Sequence, residues 1–412
     1  MAGTGSGDYF LFFGNGQYAN RGCEAIAKSS IRMIRKHFPG VRIYNGNERA
    51  DYDQQDETEP DVTHLDCPCY NLNRRLRFTT LLFRKTGILI DPTYPSRVIR
   101  SFAPGSKAVL SMGGDLYGLS HEPEVLIQYV LAGETALKSR RPLVIWCATI
   151  GNMDADQRLK KLAMDHFRRC SLILVRDKAS VDYLAANDIR DNVRLVADPA
   201  FVLEPEEPRI PLTHREPLQE TIGFNLAASY GWIGKLGSYR DMIRLGADCV
   251  ESIIRKTKRP VILVPHVVAF PEDTFQNDTL FLQLVREALA ARGLDVPLLP
   301  SSLRSWEIKW VLGQLYAYVG SRWHSTVAAL GSGTPTVSIG FSEKAPALND
   351  LLLGHTRFVI HCSQLTSGRL QEVLEELLES RETTRRTLQE KLPYVRALAE
   401  SAGEHLKNLL TG

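Results

Sequence analysis

The feature that most narrows the fold of this 412-residue chain is its regular alternation of short apolar runs with longer amphipathic stretches. That rhythm is the mark of an α/β protein, in which strands buried on both faces form parallel sheets and helices return the chain. Tyr9-Phe-Leu-Phe-Phe13 reads as a buried strand. A Gly/Asn loop from Gly14 to Gly22 follows, then a helix to about Phe38, with Ile26, Ile31, Ile34 and Phe38 spaced for one buried face. Further strands are expected at Val41–Tyr44, Ala108–Met112, Leu143–Cys147, Leu172–Val175 and Val193–Val196. Each ends in a polar or Gly-rich turn, where open parallel sheets place their ligands.

A break comes at Glu204–Pro217, which holds four prolines and alternating charges with little to bury, as a linker would. The alternation then restarts: Thr221–Leu226, a helix near Tyr239–Arg255, Val261–Pro265, a helix near Asp278–Arg292, Tyr316–Val319, a helix from Ser325, and Thr336–Ile339. The tail after Ser363 is helical, with Pro393 expected to separate Leu370–Glu379 from a last helix ending near Leu410. The expected organisation is a flexible Gly/Ser lead (1–8), an N-terminal Rossmann-like lobe (9–203), a linker (204–217), a C-terminal Rossmann-like lobe (218–362) and C-terminal helices (363–412). The two lobes are expected to face a cleft. The stretch Arg49–Arg100 reads as loop-rich.

Composition excludes several function classes. Fifty Lys+Arg against 47 Asp+Glu leave a net charge of +3, too even for bulk binding of nucleic acid. No apolar run approaches the ~20 residues that span a bilayer; Leu81–Ile90 is interrupted by Arg84 and Lys85. The seven cysteines are scattered, and Cys67-Pro68-Cys69 lacks the spacing of a redox or zinc motif, so incidental thiols in a reducing compartment are expected. The chain reads as cytoplasmic. Any charge-dependent function must rest on local placement.

The densest group of chemically able residues is Val319-Gly-Ser-Arg-Trp-His-Ser325, followed by a small-residue helix and Gly331-Ser-Gly-Thr-Pro-Thr336. Side chains two apart on extended backbone point together, which would deliver Arg322 and His324 to one side. Ser325 would cap the next helix, whose N-terminus adds partial positive charge. With Lys344 downstream, this group suits a phosphorylated or carboxylated ligand. The plain alternative is an Arg paired with an acid beside a hydrogen-bonded core His.

Weaker candidates stand at other strand ends. The loop Gly14-Asn-Gly-Gln-Tyr-Ala19 superficially fits a dinucleotide pattern, but its helix begins only after Asn20-Arg-Gly-Cys-Glu24, and no acid closes the second strand. Met112-Gly-Gly-Asp115 would permit close ligand approach or form an ordinary turn. Arg176 and Asp198 end successive strands, where an internal Arg–Asp pair is the commoner arrangement, and His266 ends a strand of the second half. No metal-ligand set is apparent.

Read in order, these segments resemble the polysaccharide pyruvyl transferase family. The residues that carry the resemblance are Gly14-Asn15, Asn20-Arg-Gly-Cys-Glu-Ala25, Gly113-Gly-Asp115, Ile150-Gly151, Val175-Arg-Asp177 and Ser180. It continues through Asp198-Pro-Ala-Phe201, Val264-Pro-His266, Arg322-Trp-His324, Gly333-Thr-Pro335 and Lys344. Many members carry Gly-Asp where this chain has Gly22-Cys23-Glu24, and a third Gly where it has Asp115.

The resemblance implies a GT-B-like fold, with the acceptor on the N-terminal lobe and the donor on the C-terminal one. It implies transfer of pyruvate from phosphoenolpyruvate, as co-substrate, to a sugar or glycan acceptor as a cyclic ketal, with no cofactor and no metal. The expected donor residues are Arg322, Lys344, Ser325, His266 and Arg176. His324 is the expected general acid, acting with Arg322. Asn15, Asn20, Arg21, Glu24, Gly113, Gly114 and Asp115 are expected around the acceptor. A lipid-linked acceptor would place the enzyme at the inner face of a membrane. Acceptor identity and oligomeric state stay open. Two alternatives remain: a nucleotide-sugar glycosyltransferase or epimerase on the same fold, and a non-catalytic sugar-phosphate binding protein.

Overall fold

The wholly apolar run Tyr9–Phe13 becomes β1, buried on both faces because parallel strands on either side satisfy its backbone. The computed structural model describes residues 9–68, 73–119, 122–212, 216–268 and 275–412. The Gly/Ser lead and Cys69 lie outside the described residues.

The first sheet continues with β2 (Arg42–Asn47), β3 (Val62–Asp66), β4 (Val109–Met112), β5 (Leu143–Ala148), β6 (Leu172–Val175) and β7 (Val193–Leu195). Its strand order is β3-β2-β1-β4-β5-β6-β7 and all its pairings are parallel. The order reverses between β1 and β4, which makes that gap the switch point where doubly wound sheets bind ligands. The second sheet holds β8 (Ile222–Phe224), β9 (Val261–Leu263), β10 (Ala317–Gly320), β11 (Thr336–Gly340) and β12 (Val359–His361). Its order is β12-β11-β10-β8-β9, again all parallel, with its switch point between β8 and β10.

The chain divides into two compact units. One comprises the chain up to Tyr18, Ile26–Pro199 and Ala397–Gly412; the other comprises Ala19–Ala25 and Ala200–Arg396. In the first, Leu11, Phe13, Val109, Ile145 and Ile173 pack with Tyr129 and Val130 of the helix Pro123–Lys138. In the second, Ile262 and Tyr318 pack with Val311 and Leu312 of the helix Ser305–Gln314 and Ala329 of the helix Trp323–Gly331. Fully burying one such aliphatic side chain contributes about 1.5–3 kcal/mol.

Two expectations are corrected. The stretch Arg49–Arg100 is not loop-rich: it carries β3 and the helices Ala50–Gln55, Arg74–Thr86 and Tyr94–Phe102. Asn73 caps the second of these by accepting from the Leu76 N–H, and Leu76, Thr79, Thr80 and Phe83 supply its buried face. Two adjacent threonines in that face blurred its period in the sequence. Pro393 does not divide the tail either; the chain breaks at Ser380, and one helix runs Arg381–Thr411. Pro393 and Gln389, whose carbonyl loses its helical donor, are both exposed, so water can satisfy that group. Leu388, Leu392, Val395 and Leu406 are buried, and their burial outweighs the roughly 3 kcal/mol that a proline costs in a helix.

Candidate functional site

In the second unit the switch point is occupied by two strand exits. Asn225 follows β8, and Ser321-Arg322-Trp323-His324 follows β10. His266 lies beyond the end of the neighbouring β9, and Lys344 opens the helix Lys344–Leu353 after β11. Four of the five strands of this sheet therefore send a polar or charged residue toward their carboxyl ends.

The group is organised around a buried carboxylate. Asp278, at the start of the helix Asp278–Ala290, is 1 % exposed. Its Oδ2 accepts from the backbone N–H groups of His266 (3.0 Å) and Val267 (3.0 Å) and from Asn225 Nδ2 (3.1 Å). Its Oδ1 accepts from Arg322 Nη2 (2.8 Å) and Nε (3.0 Å). Arg322 also donates through Nη1 to Gln276 Oε1 and through Nη2 to the Gln276 carbonyl, both at 2.9 Å. Four of the five guanidinium N–H groups are thus committed, and the fork is held in one orientation. Asn225 Oδ1 accepts from the Arg322 backbone N–H (3.1 Å) and from Ser321 Oγ (3.1 Å). Tyr230 donates its hydroxyl to the Ser321 carbonyl at 2.7 Å, so the loop after β10 is pinned from two sides.

The two histidines differ in environment. His266 is 3 % exposed, and neither ring nitrogen has a hydrogen-bond partner among the described residues. Burial, reinforced by His324 and the charges of Arg322 and Arg21, drives its pKa well below the ordinary 6.5, so it is a neutral imidazole. One nitrogen is then a donor and the other an acceptor. His324 sits in the first turn of the helix Trp323–Gly331, with its ring edge-on to Trp323. Gly22 lies against it so closely that a Cβ there would fall 2.2 Å from His324 Nδ1.

Gly22 belongs to a segment that clusters with this unit. Asn20 pairs with Val267 in an antiparallel bridge, the Arg21 N–H donates to the His266 carbonyl (3.1 Å), and the Val268 N–H donates to the Ala19 carbonyl (2.7 Å). Asn20 Oδ1 accepts from the Gly22 N–H at 3.0 Å at the start of the helix Arg21–His37. Arg21 donates to the Ser301 carbonyl (3.1 Å) and to Glu24 (3.4 Å), and Glu24 Oε2 accepts from the Ser305 N–H at 2.8 Å. Arg21 and Glu24 are both buried, so they anchor the segment on the loop Ser301–Ser305.

Two local expectations for this cluster are revised. β10 ends at Gly320, and Arg322 is the extended N-cap residue (φ −79°, ψ 126°) while His324 is already helical. The strand-to-helix turn, not period-two alternation, sets their positions. Ser325 is not the cap; it is buried in the first turn and donates to the Arg322 carbonyl at 2.7 Å.

In the first unit, Gly14 and Asn15 follow β1 while Gly113, Gly114 and Asp115 follow β4, so both loops lie at that sheet's switch point. Gly14 has φ +85° and its carbonyl accepts from the Tyr129 hydroxyl at 2.8 Å. Gly113 lets the end of β5 approach: a Cβ there would fall 2.5 Å from Ala148 Cα. Arg176, after β6, forms a buried ion pair with Asp198 and donates through Nε to Thr149 Oγ1 at 3.1 Å. Asn20, Arg21, Glu24, His266, Arg322, His324, Ser325 and Lys344 therefore stand in one unit, and Asn15, Gly113, Gly114, Asp115 and Arg176 in the other.

Asp278, Asn225 and Gln276, which orient the Arg322 fork, were not singled out as site residues from the sequence. The available signal was Asn225 directly after a buried strand, in the position that Ser321 occupies after β10. Among the described residues, no three His, Cys, Asp or Glu side chains gather as a metal ion would need, and no helix is long and apolar enough to cross a membrane.

Residues 20–343 match the family model for polysaccharide pyruvyl transferases. The chain belongs to that family. Its fold is shared with solved enzymes of other activities. UDP-GlcNAc 2-epimerase from Neisseria meningitidis, solved with UDP-GlcNAc bound, matches with a TM-score of 0.60 at 12 % identity over 98 % of this chain and 99 % of that one. A ugt transferase from Siraitia grosvenorii, solved with UDP, matches with a TM-score of 0.58 at 9 % identity over 98 % of this chain and all of that one. At such identities the likeness establishes the GT-B-type α/β architecture and nothing about substrates.

Proposed function

We propose that this family member transfers pyruvate from phosphoenolpyruvate to a sugar acceptor as a cyclic ketal, with the donor bound at the β8–β10 switch point of the second sheet. The observation that carries the reading is the placing of Arg322, His324, His266 and Lys344 at strand ends of one sheet in a chain of this family. Phosphoenolpyruvate carries a carboxylate and a phosphate, and it needs directed N–H donors more than bulk positive charge. Arg322, held in one orientation by Asp278 and Gln276, turns its remaining Nη1–H to a donor oxygen, and Lys344 adds a second cation. Neutral His266 donates one N–H to a donor oxygen, and Ser325 holds the Arg322 carbonyl in place.

His324 delivers a proton to the methylene carbon of the donor, leaving positive charge at the carbon that bears the phosphate. A sugar hydroxyl attacks that carbon and loses its proton, the bond from that carbon to the phosphate oxygen breaks with its electron pair leaving on the phosphate, and a second hydroxyl attacks the same carbon and loses its proton, closing the ketal. An imidazole suits the first step because its ring N–H can be passed to a carbon held against it. Asn15, Gly113, Gly114 and Asp115, at the switch point of the first sheet, are assigned to the acceptor.

The test is phosphate release from phosphoenolpyruvate across a panel of sugar acceptors, with mass spectrometry of the ketal. His324→Ala is expected to lower turnover roughly 10²–10⁴-fold, the scale of one general acid. Near-wild-type turnover in that variant removes His324 from the acid role. One alternative on the same fold is a nucleotide-sugar transferase or epimerase. Turnover of UDP-sugars, with none of phosphoenolpyruvate, would establish it instead.

A further inference from the structure

The helix Arg74–Thr86 turns Leu76, Thr79, Thr80 and Phe83 into the first unit, and its opposite face is apolar in the wrong direction. Phe78 is 64 % exposed and Leu81, one turn on, is 52 % exposed. Gly87 ends the helix at φ +80°, and the chain after it exposes Ile88 (58 %) and Ile90 (53 %). Four of the 13 large apolar side chains that are exposed among the described residues thus fall within thirteen consecutive positions, so chance scatter of surface hydrophobics does not account for them.

The charge around this face is one-sided. Asn73–Ile90 contains Arg74, Arg75, Arg77, Arg84 and Lys85 and no acidic residue, in a chain whose charges otherwise nearly cancel. All five are exposed, and Arg84 alone of them is engaged in an ion pair among the described residues, with Asp156. Along the chain the apolar side chains are interspersed with these long basic ones, Arg77 before Phe78 and Arg84 and Lys85 between Leu81 and Ile88. A folded protein partner would have to provide a separate fitted pocket for each tip and a carboxylate for each cation. A fluid anionic bilayer provides both without fitting: acyl chains receive the apolar tips at the headgroup boundary, and lipid phosphates meet the Arg and Lys heads.

We propose that the exposed segment Arg74–Ile90, with Phe78, Leu81, Ile88 and Ile90 among its basic residues, docks on an anionic lipid bilayer as a peripheral, non-spanning anchor. The proposal is independent of which reaction the chain performs.

The full chain should co-sediment with vesicles of phosphatidylcholine containing about one-third phosphatidylglycerol, and not with phosphatidylcholine alone. Raising ionic strength from about 0.1 M to about 1 M should release it, because the screening length falls from about 10 to about 3 Å. R74Q/R77Q should lower the partition coefficient roughly 30-fold, at about fivefold for each basic residue near the surface. F78S/L81S should lower it by about tenfold or more without lowering the melting temperature, since both side chains are already exposed. The proposal fails if the wild-type chain stays in the supernatant with anionic vesicles, or if either double variant binds as the wild type does. It also fails if F78S/L81S converts a dimer to a monomer in lipid-free light scattering, which would give the face to a second copy of this chain.

Discussion

Asp278→Asn is the most informative single substitution in the cluster around Arg322. The Asp278 carboxylate accepts from two backbone N–H groups, from Asn225 and from two nitrogens of Arg322, and it is buried. An asparagine replaces one acceptor oxygen by an NH2 group. In one rotamer that group meets the His266 and Val267 N–H groups; in the other it meets the Arg322 fork. Either way at least two hydrogen bonds become donor-to-donor contacts, and Arg322 loses its counter-charge. Removing one partner of a buried ion pair costs about 3–5 kcal/mol. The Arg322 side chain keeps 15 % exposure, so the lower end applies, about 3 kcal/mol. For a domain of this size that lowers Tm by about 6–12 °C, at about 2–4 °C per kcal/mol. The assay is thermal melting by circular dichroism for Asp278→Asn, Arg322→Met and the double variant. Removing both charges leaves no orphan, so the double variant should melt no lower than Asp278→Asn alone. An Asp278→Asn protein melting within about 1 °C of wild type, or two single effects that simply add, would refute the argument.

Two further outcomes can be measured. Gly22→Ala would force a Cβ into the His324 ring, so turnover should fall on the order of 10²-fold through misplacement of that ring, with the far-ultraviolet spectrum unchanged; full turnover would show that the ring tolerates rotation. In the first unit, burial pushes the His166 pKa down, but Cys170 and the Glu134 carboxylate, 2.6 Å from Nδ1, outweigh it and raise it to about 9. Its stabilisation is therefore present in full below the unfolded value near 6.5 and is lost as pH rises through about 9. The gap in melting temperature between wild type and His166→Asn should shrink between pH 6 and about pH 10, and a gap independent of pH would contradict the pairing.

Much of this architecture is legible in the sequence. The strands β1, β4, β5, β6, β10 and β11 coincide closely with apolar runs, because strands buried on both faces need unbroken apolar sequence. The Arg322-Trp-His324 group was legible because it follows such a run at a strand end. β3 and β12 were not, being short edge strands of mixed polarity such as Val-Thr-His-Leu-Asp and Val-Ile-His. The helix through Pro393 was misread because a local rule about proline was applied where a long buried stripe decides.

What the sequence determines by itself is the parallel α/β architecture, since periodicity and burial are local properties of the chain. It also determines which strand ends carry chemically able side chains. Only the tertiary structure decides what those side chains meet. Asp278 lies 44 positions before Arg322, yet it takes two hydrogen bonds from that guanidinium. Ala19–Ala25 clusters with a unit that otherwise begins at Ala200, which brings Gly22 against His324. Such pairings arise from loop closure across a folded sheet, and nothing in the spacing of residues along the chain encodes them.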